Sequence, residues 1–172
     1  MKRYKITAVC VVLLIILSVF SACGKVRYNA KIYNMSEESF SSSFLEENKV
    51  KGAYYKNPDY AEGSDEKYYY DETSPVCRTF IVNNSGDYSL IFTGNELTVN
   101  FDKEMLFIYI FADVNPCRNY LLNKVVVDGE TAKIYFGLEK GDKKDATAPY
   151  QRVLIVKTDK LDINEAEFIK QR

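Results

Sequence analysis

Short apolar runs alternate with polar, turn-forming segments along most of the chain, a pattern typical of strands joined by turns. Residues 105–111 form the most apolar run after the N-terminal segment, rich in isoleucine and aromatics, and predict a central strand buried on both faces. Asp128-Gly129 separates two alternating runs and predicts a β-hairpin. Further strands are predicted at residues 29–34, 77–82 and 150–157, with an edge strand at 161–169.

Two short helices are predicted between these strands. Ser36 followed by two glutamates is typical of a helix N-cap, and Phe40, Phe44 and Leu45 follow at helical spacing. A second helix is predicted at residues 88–92, after a break and cap at 84–87. Strand runs with hairpin turns and two helices predict an α+β fold, with an antiparallel sheet of about five to seven short strands.

The first 22 residues have the pattern of a secretory signal peptide. Lys2, Arg3 and Lys5 precede an uncharged run at residues 6–20, which ends in small residues directly before Cys23. This ending resembles the lipobox of bacterial lipoproteins, which implies that Cys23 becomes the lipidated N-terminus. The predicted organisation is a signal peptide (1–22), a lipidated tether (23–28) and a single domain (29–172).

The alternative for this segment is an uncleaved membrane anchor, for which the run is short. Both alternatives place the domain on the extracytoplasmic face of the cell membrane, and acyl chains such as palmitate on Cys23 would hold it there. Removing three of the 23 basic residues and none of the 24 acidic ones leaves a net charge of −4. A mildly acidic domain is not expected to bind nucleic acid.

Two cysteines, Cys77 and Cys117, remain in the predicted domain once Cys10 and Cys23 are accounted for. An exported protein permits a disulfide between them, worth about 4 kcal/mol in the chain-entropy model. Two unpaired thiols are the alternative. In either case we expect the two residues to lie close together, because each stands at the edge of a predicted strand.

Tyrosines are concentrated at residues 54–70, in two short runs on either side of a polar segment, which predicts two strands joined by a long acidic loop. One interpretation is a contact surface, for which the candidates are Tyr54, Tyr60 and Tyr69 with Tyr150 and Arg152. The other is that alternate tyrosines pack inward while the rest cover the sheet. The loop carboxylates match no calcium-binding spacing and predict a solvated loop; they are Asp59, Glu62, Asp65 and Glu66.

The chain of 172 residues contains no histidine, which excludes His-based acid–base catalysis and His-ligated metal sites. No nucleophile, phosphate-loop or metal motif is present, and we predict neither a metal nor a cofactor. One compact group could serve an enzyme: Asp142, Asp145, Tyr150 and Arg152. Its alternative interpretation is a solvated loop in which Arg152 pairs with a carboxylate.

Residues 79–157 have a familiar order of elements: a short capped helix at 85–92, the segment 99–106 with its buried strand, the Asp128-Gly129 hairpin and the strand at 148–157. This order resembles the C-terminal domain of PrcB-type lipoprotein subunits of bacterial protease complexes. The resemblance implies a non-catalytic accessory role beside a surface protease. The whole chain also resembles surface lipoproteins of Gram-positive bacteria, which implies a location only.

The sequence therefore favours a lipid-anchored accessory or protein-binding module over other classes, with the membrane and another surface protein as partners. The alternative is a small enzyme or a ligand-binding lipoprotein without His chemistry. A two-lobed solute-binding protein is excluded, since about 150 mature residues cannot form two closing lobes.

Overall fold

The computed structural model describes residues 28–62, 67–94, 97–115, 119–140 and 148–171. These ranges contain nine strands and two short α-helices, so the predicted α+β class is confirmed, with more strands than the five to seven expected. The strands are β1 Ala30–Asn34, β2 Tyr54–Lys56, β3 Tyr68–Tyr70, β4 Cys77–Val82, β5 Glu104–Asp113, β6 Tyr120–Asp128, β7 Thr131–Leu138, β8 Tyr150–Asp159 and β9 Glu165–Gln171. The helices are α1 Ser42–Glu47 and α2 Ser85–Ile91.

Three sheets make up the fold. The largest is antiparallel with the order β1-β8-β5-β4, and it is packed on one face by a three-stranded sheet with the order β6-β7-β9. Strands β2 and β3 form a separate antiparallel pair. The edge strand predicted at 161–169 is β9, and it lies parallel to β7, the one parallel pairing among the described strands.

Strand β5 is the central strand that the sequence predicted. It pairs with β4 along one side and with β8 along the other. Because side chains alternate along a strand, Leu106, Ile108 and Ile110 enter the core on the helix side, while Met105 and Phe107 enter the core against the β6-β7-β9 sheet. The apolar run without a polar face is thus explained by burial on both faces of the sheet.

The hairpin at Asp128-Gly129 is also confirmed. Asp128 pairs with Thr131, which leaves Gly129 and Glu130 as the two central residues. Gly129 has a φ of +62°, and no non-glycine residue among those described has a positive φ. A positive φ at the first central position alone is the pattern of a type II′ turn, which favours glycine there.

The first predicted helix differs from the structure. Glu37–Ser39 form one 3₁₀ turn, and α1 begins only at Ser42. The helix is interrupted because Phe40 forms an isolated antiparallel bridge with Phe92, and the N–H of Ser41 donates to the Ile91 carbonyl at 2.8 Å. Pairing with a distant segment therefore overrides the local helical pattern, and the Ser36 side chain makes no capping bond.

The second helix begins at Ser85, three residues before the predicted start, so most of the predicted cap segment at 84–87 is already helical. Asn84 is the N-cap residue of α2, and its Oδ1 accepts the N–H of Asp87 at 2.9 Å. Asparagine is among the strongest N-cap residues because its short side chain reaches the free N–H groups of the first turn.

Candidate functional site

Tyr150 and Arg152 lie at the start of β8, on the same face of the strand. The Arg152 guanidinium donates to the Tyr150 hydroxyl at 3.0 Å, to Asn34 Oδ1 at 3.3 Å and to the carbonyl of Asn115. It also stands 5.2 Å from the centre of the Tyr120 ring. The structure thus brings these two predicted residues together, at a point where the ends of β1, β5, β6 and β8 converge.

A buried polar pair lies beneath Arg152. The hydroxyl of Tyr120 donates to Asp113 Oδ2 at 2.6 Å, and both residues are buried. The other Asp113 oxygen accepts the Asn115 side-chain amide at 2.7 Å and the Val114 N–H at 2.9 Å. Lys170 adds a 3.0 Å hydrogen bond to the Tyr120 hydroxyl. Several donors therefore satisfy the buried carboxyl oxygens of Asp113, as burial of a polar group requires.

The two phenols of this cluster, Tyr120 and Tyr150, have raised pKa values. Burial raises the pKa of Tyr120 far above its usual value, and the hydrogen bond and negative charge of Asp113 raise it further. Burial also raises the pKa of Tyr150, although the Arg152 guanidinium acts in the opposite direction. Both phenols are hydrogen-bond donors at neutral pH and poor general bases, so the cluster is better suited to holding a polar group than to proton abstraction.

A cavity of about 490 Å³ opens beside this cluster. It forms because β1 ends at Asn34, opposite Leu154, so the first residues of β8 have no β1 partner. Its polar lining residues include Glu37, Glu38, Asn119, Tyr150 and Arg152. Burial raises the pKa of Glu37, whose carboxylate makes no ion pair or hydrogen bond within the described ranges.

The tyrosine-rich segment forms the β2–β3 pair. Tyr55 and Tyr69 are partly buried, and the Tyr55 hydroxyl is hydrogen-bonded to Val50. The opposite face carries Tyr54, Tyr68 and Tyr70, which are 42%, 57% and 44% exposed. We call these three residues the tyrosine face. The interpretation that alternate tyrosines pack inward is confirmed.

The five candidate surface residues do not form one surface. Tyr54 belongs to the tyrosine face, whereas Tyr69 lies on the opposite face of the same pair. Tyr60 lies partly buried in the turn after β2. The β2 strand does adjoin β8, because the N–H of Tyr54 donates to the Pro149 carbonyl at 2.9 Å.

Several predicted residues lie outside the described ranges: Cys23, Asp65, Glu66, Cys117, Asp142 and Asp145. Cys77 is described and is an exposed free cysteine. It faces Phe111 across the β4–β5 ladder, six residues before Cys117 in the chain. The proximity of Cys77 and Cys117 stays a prediction. Within the described ranges, no three metal-ligating side chains come together.

Sequence reasoning missed the Asp113–Tyr120 pair and Glu37. The sequence does contain a signal for the pair, since Asp113 comes two residues after the most apolar run of the domain. A charged residue at the end of a buried strand needs hydrogen-bond partners. Glu37 gave no signal, because its position beside the cavity depends on the interruption of the first predicted helix.

Comparisons with known proteins give no family or function for the chain. No protein-family model matches the chain, and neither the curated proteins nor the solved structures contain a significant match. Among the described helices, none is both long and apolar enough to cross a bilayer.

Proposed function

We propose that this chain is a lipid-anchored, extracytoplasmic accessory module that binds another surface protein and has no catalytic role of its own. The observation that carries the proposal is the tyrosine face, which presents three large rings to solvent on one side of a two-stranded sheet. Tyrosine is enriched at protein interfaces because it adds a large contact area at a low entropy cost and retains a polar tip.

The rings of the tyrosine face are held in place before any partner arrives. The rings of Tyr54 and Tyr70 pack with centroids 5.1 Å apart. Backbone hydrogen bonds from Gly52 to Asp71 at 2.8 Å and from Asp71 to Ala53 at 3.0 Å lengthen the ladder of the pair, and the bond from the Tyr54 N–H to the Pro149 carbonyl at 2.9 Å ties the pair to the segment that enters β8. A preorganised surface loses less conformational entropy on binding, which supports a recognition role.

The proposed anchor would keep this face near the membrane. Only six residues lie between Cys23 and Ala30, where β1 begins, so the tether reaches roughly 25 Å at most. A partner would therefore be another protein of the same membrane surface. The resemblance to accessory subunits of protease complexes supports the same class of partner.

Site-specific photo-cross-linking in intact cells tests this function. A benzophenone side chain in place of Tyr68 should give one discrete protein adduct. The matched control replaces Leu121, which is 49% exposed on β6 and lies away from the tyrosine face. Absence of an adduct at position 68, or the same adduct at both positions, would count against the proposal.

Ligand binding is the second candidate function, favoured by the cavity beside Tyr150. The Glu37 carboxylate, the Arg152 guanidinium and the Tyr150 phenol line the same 490 Å³ space, which suits a small molecule that carries both a positive and a negative charge. Native mass spectrometry of the protein released gently from membranes tests this. A bound small molecule that is lost in Tyr150→Ala supports the candidate, and a ligand-free protein opposes it.

A further inference from the structure

A groove of about 880 Å³ runs along the outer edge of β4. Four consecutive residues, 79–82, line it. Because successive side chains of a strand point to opposite faces, a space that contacts consecutive residues lies at the strand's edge rather than over one face. Its apolar walls come from α1, α2 and the start of β9, through Phe44, Leu90, Ile91 and Ala166.

The outer edge of β4 has no hydrogen-bonded partner strand among those described, and α1, α2 and the start of β9 flank it. β4 is the last strand of its sheet and is hydrogen-bonded to β5 alone among the described strands. In an antiparallel ladder, alternate residues of an edge strand point their N–H and C=O groups outward. Such edges are usually protected by a lysine, a proline or a covering loop. The edge residues 79–82 include neither a lysine nor a proline. At the start of the strand, Arg78 is turned aside to the Lys49 carbonyl at 3.2 Å.

The rim of the groove is acidic. Glu47, Asp87 and Glu165 line it and are exposed, and no lysine or arginine is among its described lining residues. A second copy of the chain would bring an identical acidic rim against this one. The charge pattern therefore disfavours pairing between two copies and favours a basic occupant.

We propose that the groove receives an extended segment of a partner protein, in which basic and apolar side chains alternate, as an added strand on β4. Main-chain hydrogen bonds to residues 79–82 supply the pairing, and alternate side chains of the added strand select for the partner. The apolar side chains of that strand contact Phe80 and Leu90, the latter 72% exposed in the free protein. Its basic side chains point to the opposite face, toward Glu165 at the start of β9, while Glu47 and Asp87 add negative charge on the helix side of the rim. This inference is independent of the tyrosine face.

Three synthetic peptides test the inference. The first has eight residues that alternate lysine with valine or phenylalanine. The second carries glutamate in place of each lysine, and the third has proline at two central positions. Binding is measured by fluorescence anisotropy, and hydrogen exchange of the outward-pointing amides among residues 79–82 reports the site. We expect the first peptide to bind and slow this exchange, and the other two to bind at least tenfold more weakly.

Charge-reversal variants separate this site from general attraction to an acidic protein. Glu47→Lys with Glu165→Lys should weaken binding of the lysine peptide at least tenfold. The control, Glu72→Lys with Glu139→Lys, makes the same change in net charge at exposed positions outside the groove and should leave binding unchanged. The proposal is overturned if the lysine peptide does not bind or if both double variants weaken its binding equally. It is also overturned if the outward-pointing amides among residues 79–82 gain no protection, or if the free protein dimerises through β4.

Discussion

At the scale of single residues, the fold depends on a few carboxylates that are surrounded by donors. Asp71 accepts the N–H groups of Thr73 and Ser74 at 2.9 and 2.8 Å, and the Ser74 hydroxyl at 2.8 Å. These bonds close the turn that follows β3. They also hold the pKa of Asp71 below its usual value, the Ser74 N–H contributing most.

Asp71→Asn is expected to lower the free energy of unfolding at pH 7 by about 1 kcal/mol, because the charge-assisted bonds become neutral ones. The native-state pKa lies below the unfolded-state value near 3.8. The ionised group therefore stabilises the fold above that value, and this contribution is lost as the pH falls through the lowered pKa.

Urea unfolding between about pH 5 and pH 2 checks this linkage. The variant should lose less stability than the wild-type protein over that range. Asp59→Asn, at an exposed carboxylate, serves as the control. An equal loss of stability in the variant and the wild-type protein would show that the ionisation of Asp71 does not contribute to the pH dependence of stability.

Tyr120→Phe should lower the free energy of unfolding by about 1–3 kcal/mol, because it removes the hydroxyl that donates to the buried Asp113. Chemical denaturation measures the change. Tyr135→Phe is the matched control, since its hydroxyl makes no hydrogen bond within the described ranges. A cost no larger than that of the control would mean that water replaces the lost donor.

At the scale of elements, β5 organises the molecule. Its two faces belong to two different cores, so it connects the helix layer to the second sheet. The register of β5 against β4 and β8 also decides which residues meet at the sheet's ends, including Asp113 opposite Tyr150.

Ile108→Asp is expected to unfold the domain. Ile108 is completely buried on the central strand, and an unpaired carboxylate there would cost several kcal/mol. Circular dichroism and a thermal melt report the outcome. Leu121→Asp places the same charge on an exposed strand position and should remain folded. A cooperatively folding Ile108→Asp protein would contradict the central position of β5.

The β4–β5 register bears on the cysteines as well. Because Cys77 faces Phe111, we expect its thiol and that of Cys117 to react together under oxidation. Peptide mapping of the non-reduced protein should then find residues 77 and 117 in one linked fragment. Recovery of both thiols unlinked after mild oxidation would indicate that the residues lie too far apart.

At the scale of the whole molecule, the described domain is built from layers that leave three surfaces for contact: the tyrosine face, the cavity beside Tyr150 and the β4 groove. β1 and β4 are opposite edges of the four-stranded sheet. The β4 groove therefore lies at the sheet edge opposite β1, the strand that follows the proposed tether.

Cys23→Ser should abolish lipidation and leave the protein released from the membrane or retained as an unprocessed precursor. Cell fractionation with mass analysis of the N-terminus distinguishes the lipidated form from both. Cys77→Ser, a like substitution in the domain, should leave anchoring intact. A Cys23→Ser protein that remains both cleaved and membrane-bound would contradict the proposed anchor.

The sequence by itself determined the strands, the hairpin and the central position of β5. These features follow from side-chain periodicity, from the turn chemistry of Gly129 and from an apolar run with no polar face, all of which are local signals. It also predicted that alternate tyrosines face inward, because alternation along a strand is a local property, but it did not say which ones, and Tyr69 was among its surface candidates.

Only the tertiary structure decided how these elements meet. The interruption at Phe40 depends on pairing with Phe92, and the parallel position of β9 depends on packing against β7. The Asp113–Tyr120 pair and the β4 groove arise where distant segments converge. Long-range pairings leave no periodic trace in the chain, because each partner's local pattern is the same whether or not the other is present.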